Sequence, residues 1–237
     1  MKIIITLILA AAIIFLAARA LTKTTITEVT LMKDITDAHL SQPYPEDVLR
    51  LYDLKKDKWS GSVFRFINIS DVNYNNVSQT SIESASQWLS NDFERDEEVK
   101  QFVGSIKRIL TDTMNEKIGR NRSSVFVPVA HELKRLNESK ADRKILLLYS
   151  DLMENSEELS FYKSEKLILL KKNPQFFRDY FDKQAKLDSL TGIEIHIVYQ
   201  PKDTKENQEF IVVSEFYKVF LESKGAKVEI SANLVYE

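Results

Sequence analysis

Cysteine is absent from this chain, and glycine and proline occur only five times each in 237 residues. Without cysteine there is no disulfide, no thiolate metal centre and no cysteine nucleophile. The glycines, Gly61, Gly104, Gly119, Gly192 and Gly225, stand too far apart for a Gly-x-Gly-x-x-Gly turn, a Walker loop or a Gly-x-Ser-x-Gly elbow. Chemistry that needs a phosphate-cradling loop or a serine nucleophile elbow therefore has no support. An excess of positive charge is missing too. The chain has 33 Lys and Arg against 35 Asp and Glu, and its basic clusters Lys55-Lys56, Arg120/Arg122 and Lys171-Lys172 are short. Binding to a phosphate backbone needs a basic stripe, so no nucleic-acid partner is expected. The three histidines, His39, His131 and His196, lack ligand spacing, which argues against zinc.

What is present is a foldable composition, 43% hydrophobic and 29% charged, of a length that suits one domain. The only long apolar run is at the start. Met1-Lys2 precedes Ile3 to Ala18, in which Thr6 is the sole polar residue. The run falls short of the about 20 residues a spanning helix wants and resembles a signal-peptide core behind a basic start. Ala18-Arg19-Ala20 offers a small-x-small cleavage pattern; left uncut, the run makes a tilted anchor ending near Leu21. Residues 1–21 are therefore expected to be a signal peptide or transmembrane anchor, and 22–237 the folded domain. The product is expected to be membrane-anchored or secreted/periplasmic, touching membrane through its N-terminal segment, with the side of the membrane left open.

Beyond the run, strand and helix patterns alternate. Thr27–Met32 reads as a strand. Pro43, Pro45, Glu46 and Asp47 mark a helix start. Ser62–Ile69 alternates as a strand does, and Asp71–Asn76 turns the chain into a weaker strand, Val77–Ile82. Val99, Phe102, Val103, Ile106, Leu110 and Met114 recur at helical spacing, and Gly119 closes that helix. Asn121-Arg122-Ser123-Ser124 reads as an N-cap loop ahead of a helix carrying Val125, Val129, Leu133 and Leu136. Lys144–Tyr149 is a continuous apolar strand of the kind buried on both faces. Phe161–Leu187 is helical with a break near Asn173-Pro174. Gly192–Tyr199 is a strand, Asn207–Lys224 a helix capped by Gly225, and Lys227–Leu234 a last strand. The expected fold is α/β: a Rossmann-like, doubly wound, mostly parallel sheet with one antiparallel edge strand, preceded by an N-terminal hydrophobic helix.

Two strands end in oxygen-bearing side chains. The first runs into Asp34-Ile35-Thr36-Asp37-Ala38-His39, and Lys144–Tyr149 runs into Ser150-Asp151. Carboxylates and hydroxyls at one rim of a sheet suit Mg2+ or another small divalent cation, at the rim where open α/β sheets bind ligands.

This element order, with carboxylates at these strand ends, resembles the von Willebrand factor A fold over Thr27 to Leu234. The family's metal-ion-dependent adhesion site uses Asp-x-Ser-x-Ser after the first strand, a Thr from a middle loop and an Asp after the fourth strand. Asp34 matches the first Asp and Thr36 the first Ser. Ala38 stands at the second Ser and cannot ligate. Ser123 or Ser124 corresponds to the middle-loop Thr. Asp151 matches the last Asp, although Leu152 replaces the usual Gly after it. The resemblance implies a metal site of Asp34, Thr36, Ser123, Ser124 and Asp151, holding Mg2+ or Mn2+ and leaving a position for a partner protein's carboxylate.

The expected function is thus a non-enzymatic, membrane-targeted protein-interaction domain. Two alternatives remain. One is a Mg2+-dependent phosphoesterase or phosphotransferase using Asp34 and Asp151. The other is a metal-free structural subunit of an envelope or conjugation apparatus, in which those acids only cap loops. Phe210, Phe216, Tyr217 and Phe220 are expected in the core. Phe161, Tyr162, Phe176, Phe177, Tyr180 and Phe181 are divided between core and a partner-facing patch.

Overall fold

Leu31 and Met32, adjacent in sequence, bury their side chains in two different hydrophobic clusters. That is what a strand covered on both faces must do, since successive side chains point to opposite sides. The computed structural model describes residues 24–35, 42–69, 76–113, 124–156 and 158–234. The residues before 24, Thr36, His39, Gly119 and Ser123 lie outside the described residues.

The described strands are β1 (Ile26–Asp34), β2 (Gly61–Ile69), β3 (Val77–Ile82), β4 (Arg143–Tyr149), β5 (Ile193–Val198) and β6 (Lys227–Ser231). They form one sheet in the order β3-β2-β1-β4-β5-β6. Every neighbouring pair is parallel except β2 with β3, which is antiparallel. The expected α/β architecture with a single antiparallel edge strand is therefore found. The helices are α1 (Pro45–Arg50), α2 (Asp92–Thr113), α3 (Phe126–Glu138), α4 (Ser164–Lys172), α5 (Pro174–Gln184) and α6 (Thr204–Ser223). One face of the sheet packs on α3, α4, α5 and α6; there Phe126 stacks on Phe181 with ring centroids 4.0 Å apart. The other face packs on α1 and α2 through Val48, Tyr52, Phe102, Ile106 and Leu110. No helix among the described residues is long and apolar enough to cross a membrane.

Several boundaries differ from the sequence reading. β1 extends to Asp34, so its acid belongs to the strand itself. α2 begins at Asp92, seven residues before Val99, on a charged stretch with no apolar period. The Phe161–Leu187 stretch breaks at Asn173-Pro174 as expected, because Pro174 cannot donate to α4 and instead starts α5, with the Asn173 side chain accepting from Phe176 N; its first helix begins at Ser164 rather than Phe161. α6 starts at Thr204, where Asp203 caps it by accepting from Glu206 N at 2.8 Å. β6 stops at Ser231 rather than Leu234. Of the aromatics, Phe210, Phe216, Tyr217, Phe220, Phe161, Phe177 and Phe181 are buried, whereas Tyr162 and Phe176 are exposed.

A buried polar network ties α3 to the middle of the sheet. Glu132 on α3 accepts from Thr30 Oγ1 (2.9 Å), Arg65 Nε (3.2 Å) and Arg135 Nε (2.6 Å). Arg135 also pairs with Glu28 at 2.6 Å, and Ser139 donates to the same Glu28. Burying a carboxylate is costly unless cations and hydrogen bonds surround it, and here β1, β2 and α3 all contribute them. Replacing Glu132 with Ala leaves Arg65, Arg135 and Thr30 without that partner. We expect a stability loss of about 3 kcal/mol in urea denaturation, as when one side of a buried ion pair is removed.

Candidate functional site

Strands β1 and β4 are neighbours, yet the chain leaves β1 toward β2 and returns to β4 from the other side of the sheet. Ligands in open α/β sheets settle where the order reverses in this way, beyond the C-terminal strand ends. Asp34 ends β1, and Ser150-Asp151 follows β4 at the same rim. Because the strands are parallel and in register from Thr27 with Arg143 to Lys33 with Tyr149, their ends meet. Ser150 Oγ donates to Asp34 Oδ2 at 3.3 Å, and both residues are buried.

The loop after β4 is held rigidly. Ser150 Oγ accepts from Leu152 N at 2.9 Å. Asp151 Oδ1 accepts from Met153 N at 2.9 Å, and Asp151 Oδ2 accepts from the Tyr162 hydroxyl at 3.0 Å. Leu152 adopts φ 62° while fully buried. A left-handed conformation costs a non-glycine residue about 1–2 kcal/mol, and such strain gathers at functional loops. The resemblance expects glycine at this position, and the backbone here has the conformation glycine favours, with burial of the leucine side chain offsetting the strain.

Glu154 is the residue the sequence reading missed. Its Oε2 accepts from Val125 N at 2.9 Å and Phe126 N at 3.0 Å, the first amides of α3. The Ser124 hydroxyl bonds to it as well. Asn121, Arg122 and Ser123 lie outside the described residues; among the described ones the first amides of α3 are met by an acid from a distant segment, since the side chain at the cap position, Val125, makes no such bond. Burial pushes the Glu154 carboxyl upward, the bonds from Phe126, Ser124 and Val125 oppose this, and the Asp34 charge adds to the rise. The Tyr217 hydroxyl, fully buried on α6, has no hydrogen-bond partner among the described residues. Burial first, then the charges of Glu154, Asp151 and Asp34, holds it well above the usual tyrosine range. One buried hydroxyl thus senses all three carboxylates.

Of the expected site residues, Asp34 and Asp151 reach the same rim, and Ser124 lies at the head of α3. Thr36 and Ser123 lie outside the described residues. Among the described residues no group of three or more His, Cys, Asp or Glu that could hold a metal ion is found. Lys33 points to the other face of the sheet, where its ammonium donates to Gln42 Oε1 at 2.6 Å and burial lowers its pKa. His131 is exposed on α3, and His196 sits on β5 with Nδ1 3.3 Å from Glu229.

Beside Asp151 the rim opens into a cavity of about 200 Å³ lined by Tyr162, Tyr199, Lys202, Glu206 and Phe210. Tyr199 donates to Glu206 Oε2 at 3.2 Å, which also accepts from Lys202 N at 2.9 Å. Pockets for cofactors and drug-sized ligands run to about 300–1,000 Å³, so this one admits a single side chain rather than a nucleotide. Comparison with protein-family models and with curated proteins gives no match to this chain.

The raised Glu154 pKa fixes a sign. The native state holds this proton more tightly than the unfolded chain, whose ordinary value is 4.5. The associated stability is fully present below that value and is lost as pH rises through the folded pKa. Glu154→Gln keeps an acceptor for the α3 amides without the charge. At pH 7 this variant should be at least as stable as the native chain, and the gap should close near pH 4. Glu154→Ala should lose about 2 kcal/mol at both pH values, because two buried amides lose their acceptor. Paired urea titrations at the two pH values check both outcomes.

Proposed function

We propose that this chain is a membrane-targeted protein-interaction domain of von Willebrand factor A type. In this reading the β1/β4 rim takes a divalent cation, Mg2+ or Mn2+, and through it a carboxylate of a partner protein. The observation that carries the reading is the meeting of Asp34 with the β4 end at the point where the strand order reverses, 3.3 Å from Ser150 Oγ. The element order and the antiparallel edge strand are further support, being those the resemblance implies.

The donor chemistry fits such an ion. Carboxylate and hydroxyl oxygens are the ligands hard cations prefer, and Asp34, Ser150 and Asp151 supply them at one rim. The buried Tyr217 hydroxyl, without a hydrogen-bond partner among the described residues and within electrostatic reach of the three carboxylates, is consistent with a polar interior there. Asp34 and Asp151 would hold the ion directly or through water, with Thr36 and Ser123 as the further hydroxyls the resemblance assigns. Ser124 bonds to Glu154 and so serves the helix end first. A bound ion would supply positive charge for the incoming carboxylate, and the cavity beside Asp151 offers room for the side chain that bears it.

The phosphoesterase alternative draws less support. Phosphoryl chemistry calls for a cationic side chain to steady the phosphate, and Lys33 faces away from Asp34. The 200 Å³ cavity is also small for a nucleotide.

Thermal melting of the full chain in detergent, with millimolar Mg2+ or Mn2+, tests the reading. An ion that binds only the native state at 100 times its Kd stabilises by about 2.7 kcal/mol, so the melting temperature should rise by several degrees. Asp34→Asn should abolish the rise while folding normally. An unchanged melting temperature at saturating metal in the native chain would overturn the metal-mediated reading.

A further inference from the structure

Three large apolar side chains stand almost wholly in solvent within one short stretch: Trp88 at 81%, Leu89 at 90% and Phe93 at 72% exposure. The backbone beneath them is fixed. Ala85 N donates to Trp59 O at 2.9 Å, Leu89 N and Ser90 N both donate to Ser86 O, and the Asn91 side chain accepts from Phe93 N at 3.0 Å. Below them Arg95, 2% exposed, donates to the carbonyls of Lys58 (2.6 Å), Ser60 (2.7 Å) and Glu83 (2.8 Å). A buried guanidinium bonded to three carbonyls makes this corner a rigid platform.

Its place in the fold is the N-terminal edge of the sheet. β3 runs antiparallel, so its last residue, Ile82, pairs with Ser62 at the start of β2. The segment after β3 therefore lies at the N-terminal edge of the sheet. Gly61 N donates to Thr25 O at 2.9 Å at this same edge, where the described chain begins. The apolar run ends at Ala18, and the six residues from there to Thr24 span at most about 20 Å. Lys58 pairs with Asp92 at 2.8 Å and Asp96 at 2.6 Å, offsetting one of the two acidic charges next to the apolar cluster.

We propose that Trp88, Leu89 and Phe93 form a second membrane contact, dipping into the lipid interface beside an uncut N-terminal anchor. Tryptophan and neighbouring apolar side chains are at home at that boundary, and a single short anchor leaves a domain free to tilt unless a second point holds it. The inference rests on the membrane-targeted reading and adds an orientation: the edge carrying Trp88 faces lipid, and the Asp34/Asp151 rim faces away from it.

The chain has two tryptophans, so Trp59→Phe makes Trp88 the sole reporter. The full-length variant is reconstituted into phosphatidylcholine/phosphatidylglycerol vesicles and followed by flotation and fluorescence. We expect co-flotation, a blue-shifted Trp88 emission, quenching by lipids brominated near the headgroup, and several-fold weaker quenching by acrylamide than in an unfolded control. The complementary Trp88→Phe chain, reporting Trp59, should show no lipid-dependent change. A chain that co-floats while Trp88 stays open to acrylamide overturns this inference and leaves the anchor standing. Shielding that appears without lipid and grows with protein concentration overturns it in favour of a second copy. Failure to co-float removes the membrane-targeted reading and this inference together.

Discussion

The contact on which the candidate site depends is the buried carboxylate of Glu154 against the first amides of α3. The first amides of a helix have no partner within the helix, and the helix dipole adds a partial positive charge there. Glu154 meets both needs. It also fixes the loop that follows β4 onto the helix that precedes β4, closing the chain across the switch point. With that closure made, Ser150 and Asp151 cannot swing away from Asp34. The cost appears as the strained Leu152 backbone and as a carboxyl displaced upward by burial.

A second polar knot, Glu132 with Arg65, Arg135 and Thr30, holds the same helix further along. The two knots differ in electrostatic character. Around Glu132 the arginines balance the buried charge, so the cluster is a structural tie. Around Glu154 the helix amides balance it only in part, and Asp34 and Asp151 lie close enough to act on the same Tyr217 hydroxyl. Negative charge is thus gathered at one end of the β1–α3 layer and compensated within its body. This asymmetry would suit the proposed cation, and helix propensity alone does not produce it.

Much of the sheet was legible because its signals are local. Lys144–Tyr149 read as a strand buried on both faces because an apolar run admits no solvent side, and the turn-forming residues of Asp71–Asn76, of which 71–75 lie outside the described residues, pointed to a returning strand at Val77–Ile82. Asp34 and Asp151 could be placed at one rim because parallel strands share their ends. What escaped was encoded across distance. Glu154 meets Val125 from 29 residues away, and nothing in Asp-Leu-Met-Glu marks it as the cap of an earlier helix. The start of α2 escaped for another reason. Asp92–Glu98 carries no apolar period because its only deeply buried side chain is Arg95, which donates to three carbonyls from other segments and to Glu98. A pattern built on hydrophobic spacing passes over an arginine used in this way.

The two ends of the sheet are chemically unlike, and the difference follows from strand direction. All strands but β3 finish at one edge, so every strand-end acid and the head of α3 collect there. The opposite edge receives the chain from its apolar N-terminus and carries the bared Trp88, Leu89 and Phe93 on the Arg95 platform. In the proposed arrangement one edge would meet lipid and the other would gather charge, with a mostly parallel sheet between them as a stiff spacer. Its length is set by strands of up to nine residues, or about 30 Å at 3.3 Å per residue. That separation far exceeds the roughly 8 Å Debye length at physiological salt. With the Trp88 edge set against lipid as proposed, surface charge there would not reach the acidic rim, and a cation at that rim would answer to the domain's own carboxylates.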